Sequence, residues 1–180
     1  MKYVALLRGI NVAGQKRIPM ADLKQVFESL KFKDVETYIQ SGNVVFSYHE
    51  WETKPMVAAI EKAIQKKFGF EVPVVIRAEK DWLKILKANP YIAEAKKAPK
   101  FLHVYLLADT PKEPKLAELK KYCEAGEKFE LKGREFYVFY SAGAGKRKFV
   151  LSVIEKKLGV TGTARNWLTM LTLSDMLGEK

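Results

Sequence analysis

The sequence predicts an α+β protein built from two tandem ferredoxin-like halves, each with the element order βαββαβ. Apolar residues recur at strand and helix periods in that order, and the same order returns after residue 99. Short segments are also repeated, because Lys66–Phe70 matches Lys156–Val160 and Asp81–Leu83 matches Asn166–Leu168. Repeats of this length indicate repeated structural units. We therefore predict an internal duplication, with antiparallel sheets and helices.

The first half begins with an alternating apolar strand at residues 2–8. Glycines and polar residues from Gly9 to Ile18 predict a loop, and Pro19 after it suits the first turn of a helix. Gly69 is a C-cap signal that ends an amphipathic helix. The remaining predicted elements are strands at 35–40, 44–48 and 71–77, and helices at 23–30, 56–68 and 81–87.

The second half is predicted to repeat this order after an irregular connector. Residues 89–99 lack periodicity and carry Pro90 and Pro99, which interrupt regular structure. We therefore predict a first half at residues 1–88, a connector at 89–99 and a second half at 100–180. The predicted elements of the second half are strands at 100–108, 128–131, 135–140 and 162–165, and helices at 116–123, 149–158 and 166–177.

The composition excludes a disordered or fibrous chain, because 48% of the residues are hydrophobic and 12% are aromatic. Cys123 is the single cysteine, so no internal disulfide can form, and no Cys/His spacing suits zinc. We expect a cytoplasmic protein without a metal site. No apolar stretch is long enough to cross a bilayer, so no membrane partner is expected. The sequence identifies no cofactor and no oligomeric state.

The chain carries a formal net charge of +11, from 32 Lys and Arg against 21 Asp and Glu. Such a charge attracts polyanions in general, so nucleic acid is one expected class of partner. Only six of the basic residues are arginine, and scattered lysines on helix faces raise solubility without forming a site. The net charge alone therefore does not identify a ligand.

Polar residues are predicted to meet at one edge of the first sheet. In a ferredoxin-like half, strands one and two run parallel with strand three between them, so both strand ends and the start of strand three share an edge. Basic side chains and free N–H groups near a helix N-terminus favour an anion there. We predict a site for a phosphate- or carboxylate-bearing small molecule, with an ordinary polar loop as the alternative. The predicted ligand-binding residues at this edge are Arg8, Asn11, Lys16, Arg17, Gln40, Ser41 and Asn43.

Two segments of the second half carry further candidate ligands. The Gly-rich basic stretch from Ser141 to Lys148 is a second candidate anion nest, with Lys146 as its predicted ligand and a flexible surface turn as the alternative. Its residues do not have the spacing of a Walker A loop. Arg165 and Asn166 follow a short strand: the arginine suits an anionic ligand or an internal ion pair, and the asparagine is also a good N-cap.

The sequence predicts no catalytic arrangement. His49 and His103 have no nucleophile beside them in the sequence, and no general base can be named for Ser41. Whether the protein is an enzyme is therefore left open.

Nucleic-acid binding without catalysis is the alternative function. Residues 104–106 and 132–139 partly follow the strand motifs by which RNA-recognition domains present aromatic rings. This alternative requires Tyr105 and Phe136 to be exposed on the sheet. Apolar residues on both faces of these strands favour a sheet that is covered on both sides instead.

Three motifs, Leu7–Val12, Thr37–Phe46 and Thr163–Trp167, occur in this order along the chain. They closely resemble those of the bacterial family catalogued as domain of unknown function 1697, and the likeness covers nearly the whole chain. The resemblance implies a duplicated ferredoxin-like α+β fold and implies no reaction. The chain departs from the usual family pattern at Ala13, which is commonly Gly, and at Leu168, where a polar residue is more typical.

Overall fold

The computed structural model describes residues 1–124, 126–140 and 149–178, in which two similar halves each contain a four-stranded sheet and helices. The first half contains β1 (Lys2–Leu7), α1 (Met20–Ser29), β2 (Lys33–Tyr38), β3 (Asn43–Ser47), α2 (Thr53–Phe68), β4 (Val74–Ala78) and α3 (Glu79–Lys87). Next come α4 (Ile92–Lys97), a 3-10 turn (Pro99–Phe101), β5 (Leu102–Leu107), α5 (Leu116–Lys120), β6 (Lys128–Lys132), β7 (Glu135–Phe139), α6 (Leu151–Leu158), β8 (Gly162–Asn166) and α7 (Trp167–Met176).

The strand order is β2-β3-β1-β4 in the first sheet and β6-β7-β5-β8 in the second. All the pairings are antiparallel, which is the ferredoxin-like arrangement. The predicted fold class, α+β with two similar antiparallel halves, is therefore confirmed, and the internal duplication stays a prediction. The irregular structure predicted for residues 89–99 is wrong in part, because α4 forms there, with the Ala95 N–H donating to the Tyr91 carbonyl.

The core of the first half lies between the sheet and two helices. One face of β1 packs against apolar residues that α1 and α2 present at helical spacing. Val4 and Leu6, on the opposite face of β1, are equally buried. Burial on both faces explains why β1 reads as a continuous apolar run rather than a clean alternation. The core residues from these elements include Tyr3, Ala5, Leu7, Leu23, Val26, Phe27, Ile60 and Ile64.

The chain divides into two compact units, and the residues of each unit pack mainly against one another. One comprises Met1–Lys84 and the C-terminal segment from Leu173, and the other comprises Ile85–Thr172. The limits predicted for the two halves and the connector stay a prediction. Across the described residues, none of the helices has the combination of length and apolar character that a bilayer-spanning helix requires.

Candidate functional site

The loop after β1 folds into a miniature hairpin. The Asn11 N–H donates to the Lys16 carbonyl at 3.2 Å, and the Gln15 N–H donates to the Val12 carbonyl at 2.9 Å. At the tip, Ala13 and Gly14 have φ angles of +49° and +76°. Positive φ at both central residues is what a tight type I′ turn requires. The turn by itself therefore accounts for Gly14.

Asn11 fastens this hairpin to the neighbouring β2–β3 turn. Its Nδ2 donates to the Ile18 carbonyl at 3.0 Å and to the Gln40 carbonyl at 2.9 Å. Its Oδ1 accepts the Ile18 N–H at 2.9 Å. The structure thus brings the two predicted segments together, which we name the first edge (residues 8–18 and 38–43). The Asn11 amide already donates two hydrogen bonds to backbone carbonyls. Direct binding of a ligand by this residue therefore stays a prediction.

The β2–β3 turn packs closely on the end of β1. The Gly42 carbonyl accepts the Leu7 N–H at 2.8 Å, and Gly42 has a φ of +77°. A Cβ atom there would lie 2.7 Å from Ile10 Cδ1 and 2.8 Å from Leu7 Cβ, so only glycine fits. The turn is therefore fixed in place against the hairpin.

Asn43 and Ser41 stabilise the same turn from within. Asn43 is fully buried, and its Nδ2 donates to the Tyr38 carbonyl at 2.8 Å and to Ser41 Oγ at 3.0 Å. Ser41 and Gln40 are exposed, so a ligand can approach them. Asn43 is positioned to support the turn, and a direct role in binding stays a prediction.

The first edge is strongly basic. It contains Arg8, Lys16 and Arg17 and no Asp or Glu. The Lys16 ammonium donates to the backbone carbonyl of Glu71 at 2.7 Å. Arg17 is exposed, its guanidinium lies 3.8 Å from where a Cβ on Gly14 would stand, and it makes no ion pair with any residue that the structure describes. The edge therefore presents at least one cation, Arg17, that has no counter-ion among the described residues.

Arg165 and Asn166 lie at the end of β8, in the second unit. Arg165 is 7% exposed, and its Nη1 donates to Thr163 Oγ1 and to the Ala164 carbonyl, both at 2.8 Å. Burial lowers the pKa of Arg165 to about 10, which leaves it cationic at neutral pH. Asn166 Oδ1 accepts the Thr169 N–H at 2.9 Å, so its predicted role as an N-cap is confirmed. Ligand binding by either residue stays a prediction.

Arg77 is a buried arginine that sequence reasoning missed. It is 2% exposed, pairs with Val4 across the sheet, and donates to the Ile76 carbonyl at 3.1 Å. Arg165 occupies the matching place, because it pairs with Val104. The signal was available: each is the single charged residue in the interior of the fourth strand of its half.

This register also corrects one sequence match between the halves. Trp82 lies five residues after Arg77, whereas Trp167 lies two residues after Arg165. Once the arginines are superposed, the two tryptophans are therefore not equivalent.

The remaining candidates contribute no site geometry. Lys146 and the whole stretch from Ser141 to Lys148 lie outside the described residues. Tyr105 and Phe136 are 5% and 0% exposed and belong to the core of the second half, so they form no exposed stacking surface. Within the described ranges, no three His, Cys, Asp or Glu side chains come together as a metal site.

Comparison with known proteins gives a fold and a family. No curated protein matches the chain. The conserved bacterial protein SP0830 from Streptococcus pneumoniae has a similar solved structure, with 22% sequence identity, 98% of each chain covered and a TM-score of 0.73. At this identity the likeness shows the fold alone. The family described as "Protein of unknown function (DUF1697)" matches residues 1–137, about three quarters of the sequence, and the chain therefore belongs to this family.

Proposed function

We propose that the first edge binds a small anionic molecule that carries a phosphate or a carboxylate. The observation that carries this proposal is Arg17, an exposed guanidinium without an ion-pair partner among the described residues. A planar guanidinium donates two parallel hydrogen bonds to a carboxylate or a phosphate, which gives both charge and geometry for recognition. With a single cysteine, Cys123, we place this activity in the cytoplasm.

The surroundings of Arg17 support an anionic ligand. Neither segment of the first edge contains an acidic side chain that would compete for the cations. The hydrogen bonds of Asn11 to Ile18 and Gln40 hold the hairpin against the turn, so little ordering of the backbone is needed on binding. A pre-organised site loses less conformational entropy when the ligand arrives.

Nucleic acid has less support as the ligand. The net charge of +11 provides general attraction to phosphates, but Tyr105 and Phe136 are buried and cannot stack on bases. We therefore assign the first edge to a small molecule, and an oligonucleotide serves as a competing ligand in the test.

The test compares melting temperatures of the wild-type protein with those of Arg17→Gln. Inorganic phosphate, nucleoside phosphates and small carboxylates are added at constant ionic strength. A ligand that binds only the folded state raises the melting temperature. We expect at least one of these anions to stabilise the wild type and to have no effect on Arg17→Gln, whose own melting temperature stays unchanged because the side chain is exposed.

Lys112→Gln is the matched control, since Lys112 is an exposed cation on the corresponding loop of the second half. It should keep the full response to the anion. The proposal is wrong if no anion stabilises the wild type, or if Arg17→Gln responds as the wild type does. Binding of single-stranded DNA that falls steeply with salt and is unchanged in Arg17→Gln would favour the nucleic-acid alternative.

A further inference from the structure

A cavity lies in the first unit at the end of β3 opposite the first edge, where β3 leaves the sheet and α2 begins. Its volume is about 600 Å³, which is in the range of small-molecule sites. The residues that line it include the aromatic residues Phe32, Tyr48 and Trp51, together with Met56. Trp51 is 74% exposed, so this ring stands at the mouth of the cavity. We name this the aromatic cavity.

Among the residues that the structure describes, the charged ones that line the aromatic cavity are Glu50 and Glu52, both carboxylates. This is the reverse of the whole chain, in which basic residues outnumber acidic ones by 32 to 21. Glu52 stands at the N-cap position of α2 without capping the helix through its side chain, and it makes no ion pair with a described residue. Glu50 lies 3.2 Å from Nε2 of the exposed His49. These two carboxylates favour a cation in the cavity, and the Met1 ammonium, which donates to the Tyr48 carbonyl at 2.8 Å, is a positive charge beside the same lining segment.

The segment that carries these groups is held in place by the core. The Tyr48 N–H donates to the Met1 carbonyl at 2.9 Å, and the hydroxyl of the buried Tyr3 donates to the Glu50 carbonyl. The Tyr48 ring meets Phe32 edge to face, with ring centroids 4.8 Å apart. These contacts fix the Tyr48 wall of the cavity before any ligand binds.

We propose that the aromatic cavity binds a small organic cation with a methylated ammonium head. Such a head is attracted to the faces of aromatic rings and makes no demand for hydrogen-bond acceptors, which suits walls of this composition. The two carboxylates add charge attraction, whereas two carboxylates alone are too few to replace the hydration shell of a bare metal ion. The cavity lies at the opposite end of β3 from the first edge, and its charged lining residues are acidic where those of the first edge are basic.

The test uses choline as the probe and its uncharged isostere 3,3-dimethyl-1-butanol as the comparison, both at constant ionic strength. The fluorescence of the exposed Trp51 is expected to report binding, because Trp82 and Trp167 are buried and should not respond to a ligand at the surface. We expect a saturable change in tryptophan fluorescence with choline, and binding of the uncharged isostere that is weaker by roughly tenfold or more.

Glu52→Gln and Trp51→Ala should each weaken choline binding by roughly tenfold, as measured by NMR of the choline methyl protons. Glu113→Gln, which changes an exposed carboxylate in the second unit, should bind choline as the wild type does. Both altered side chains in the cavity are exposed, so all three variants are expected to fold, and circular dichroism checks this. Absence of saturable choline binding overturns the proposal, as does equal binding of the uncharged isostere or of either cavity variant.

Discussion

The end of the first strand is tied to the neighbouring hairpin turn by the same hydrogen bond in both halves. In the first half, the Leu7 N–H donates to the Gly42 carbonyl at 2.8 Å. In the second half, the Leu107 N–H donates to the Arg134 carbonyl at 2.9 Å. We name residues 108–115 and 132–135 the second edge, because they take the place of the first edge in the second half.

The two edges differ in charge and in backbone shape. The loop of the first edge carries three cations and no carboxylate, and it folds into a hairpin through residues with positive φ. The loop of the second edge carries two carboxylates, Asp109 and Glu113, and two cations, Lys112 and Lys115. Asp109 Oδ1 accepts the N–H of the following Thr110 at 2.9 Å. Of the two edges, only the first therefore has no Asp or Glu within its own segments to compete for an anion-binding cation.

Other features are shared by the halves, and these belong to the scaffold. In the first half, Glu61 Oε1 accepts the Val74 N–H at 2.9 Å at the start of the fourth strand. In the second half, Glu155 Oε1 accepts the Gly162 N–H at 2.7 Å. The comparison teaches that one framework supports two different loops, so function is to be sought in the loops.

The largest expected effect tests the shared framework. Arg77→Ala and Arg165→Ala should each lower the free energy of unfolding by about 3 kcal/mol, because each removes a buried, hydrogen-bonded guanidinium and leaves a cavity. Urea denaturation measures the free energy of unfolding of both variants. Arg17→Ala is the control, and its free energy of unfolding should change little because Arg17 is exposed. If Arg165→Ala instead keeps its stability and loses the anion response, Arg165 belongs to a binding site.

Gly42→Ala should lower the free energy of unfolding by about 2–3 kcal/mol, because the added Cβ meets Ile10 and Leu7 in a backbone conformation that strains any L residue. Gly133→Ala in the second edge also has a positive φ, but open space surrounds the added Cβ, so about 1 kcal/mol is expected. Denaturation curves of the two variants measure the difference. Equal losses would show that the turn of the first edge is not held more tightly than that of the second.

Asn11→Ala should cost about 2 kcal/mol, because three hydrogen bonds that close the loop and join it to the turn are lost. Asp109→Ala in the second edge should leave stability unchanged, since its exposed carboxylate accepts only a local N–H. Hydrogen exchange of the Ile18 amide provides a direct readout: we expect faster exchange in Asn11→Ala alone. Unchanged exchange would mean that other contacts hold the loop.

The smallest expected effect is a gain in stability. Ala13→Gly should raise the free energy of unfolding by about 0.5–1 kcal/mol, because Ala13 has a φ of +49° that glycine adopts without strain. Ala58→Gly, in the exposed interior of α2, should instead lower stability by about 1 kcal/mol. Thermal melts show whether each variant is more or less stable than the wild type. A lower stability of Ala13→Gly would contradict the role given to the turn.

The sequence by itself determined the fold class and the neighbourhood of the first edge. Apolar periods distinguish strands from helices locally, and Gly69 and Gly159 end α2 and α6 as the C-cap signals predict. Chain connectivity then brings the loop after β1 to the β2–β3 turn. The sequence also shows that residues 8–18 and 38–43 contain no Asp or Glu, so a basic edge could be predicted without coordinates.

Only the tertiary structure decided which polar side chains form hydrogen bonds within the protein and which remain exposed. The amide of Asn11 donates to the carbonyl of Gln40, 29 residues away, and the amide of Asn43 donates to the carbonyl of Tyr38. Arg77 and Arg165 are buried, and they pair with Val4 and Val104 in their sheets. Burial also removes Tyr105 and Phe136 from the surface. Such outcomes depend on packing between segments far apart in the chain, and a local pattern of residue types carries no information about which partner fills each face.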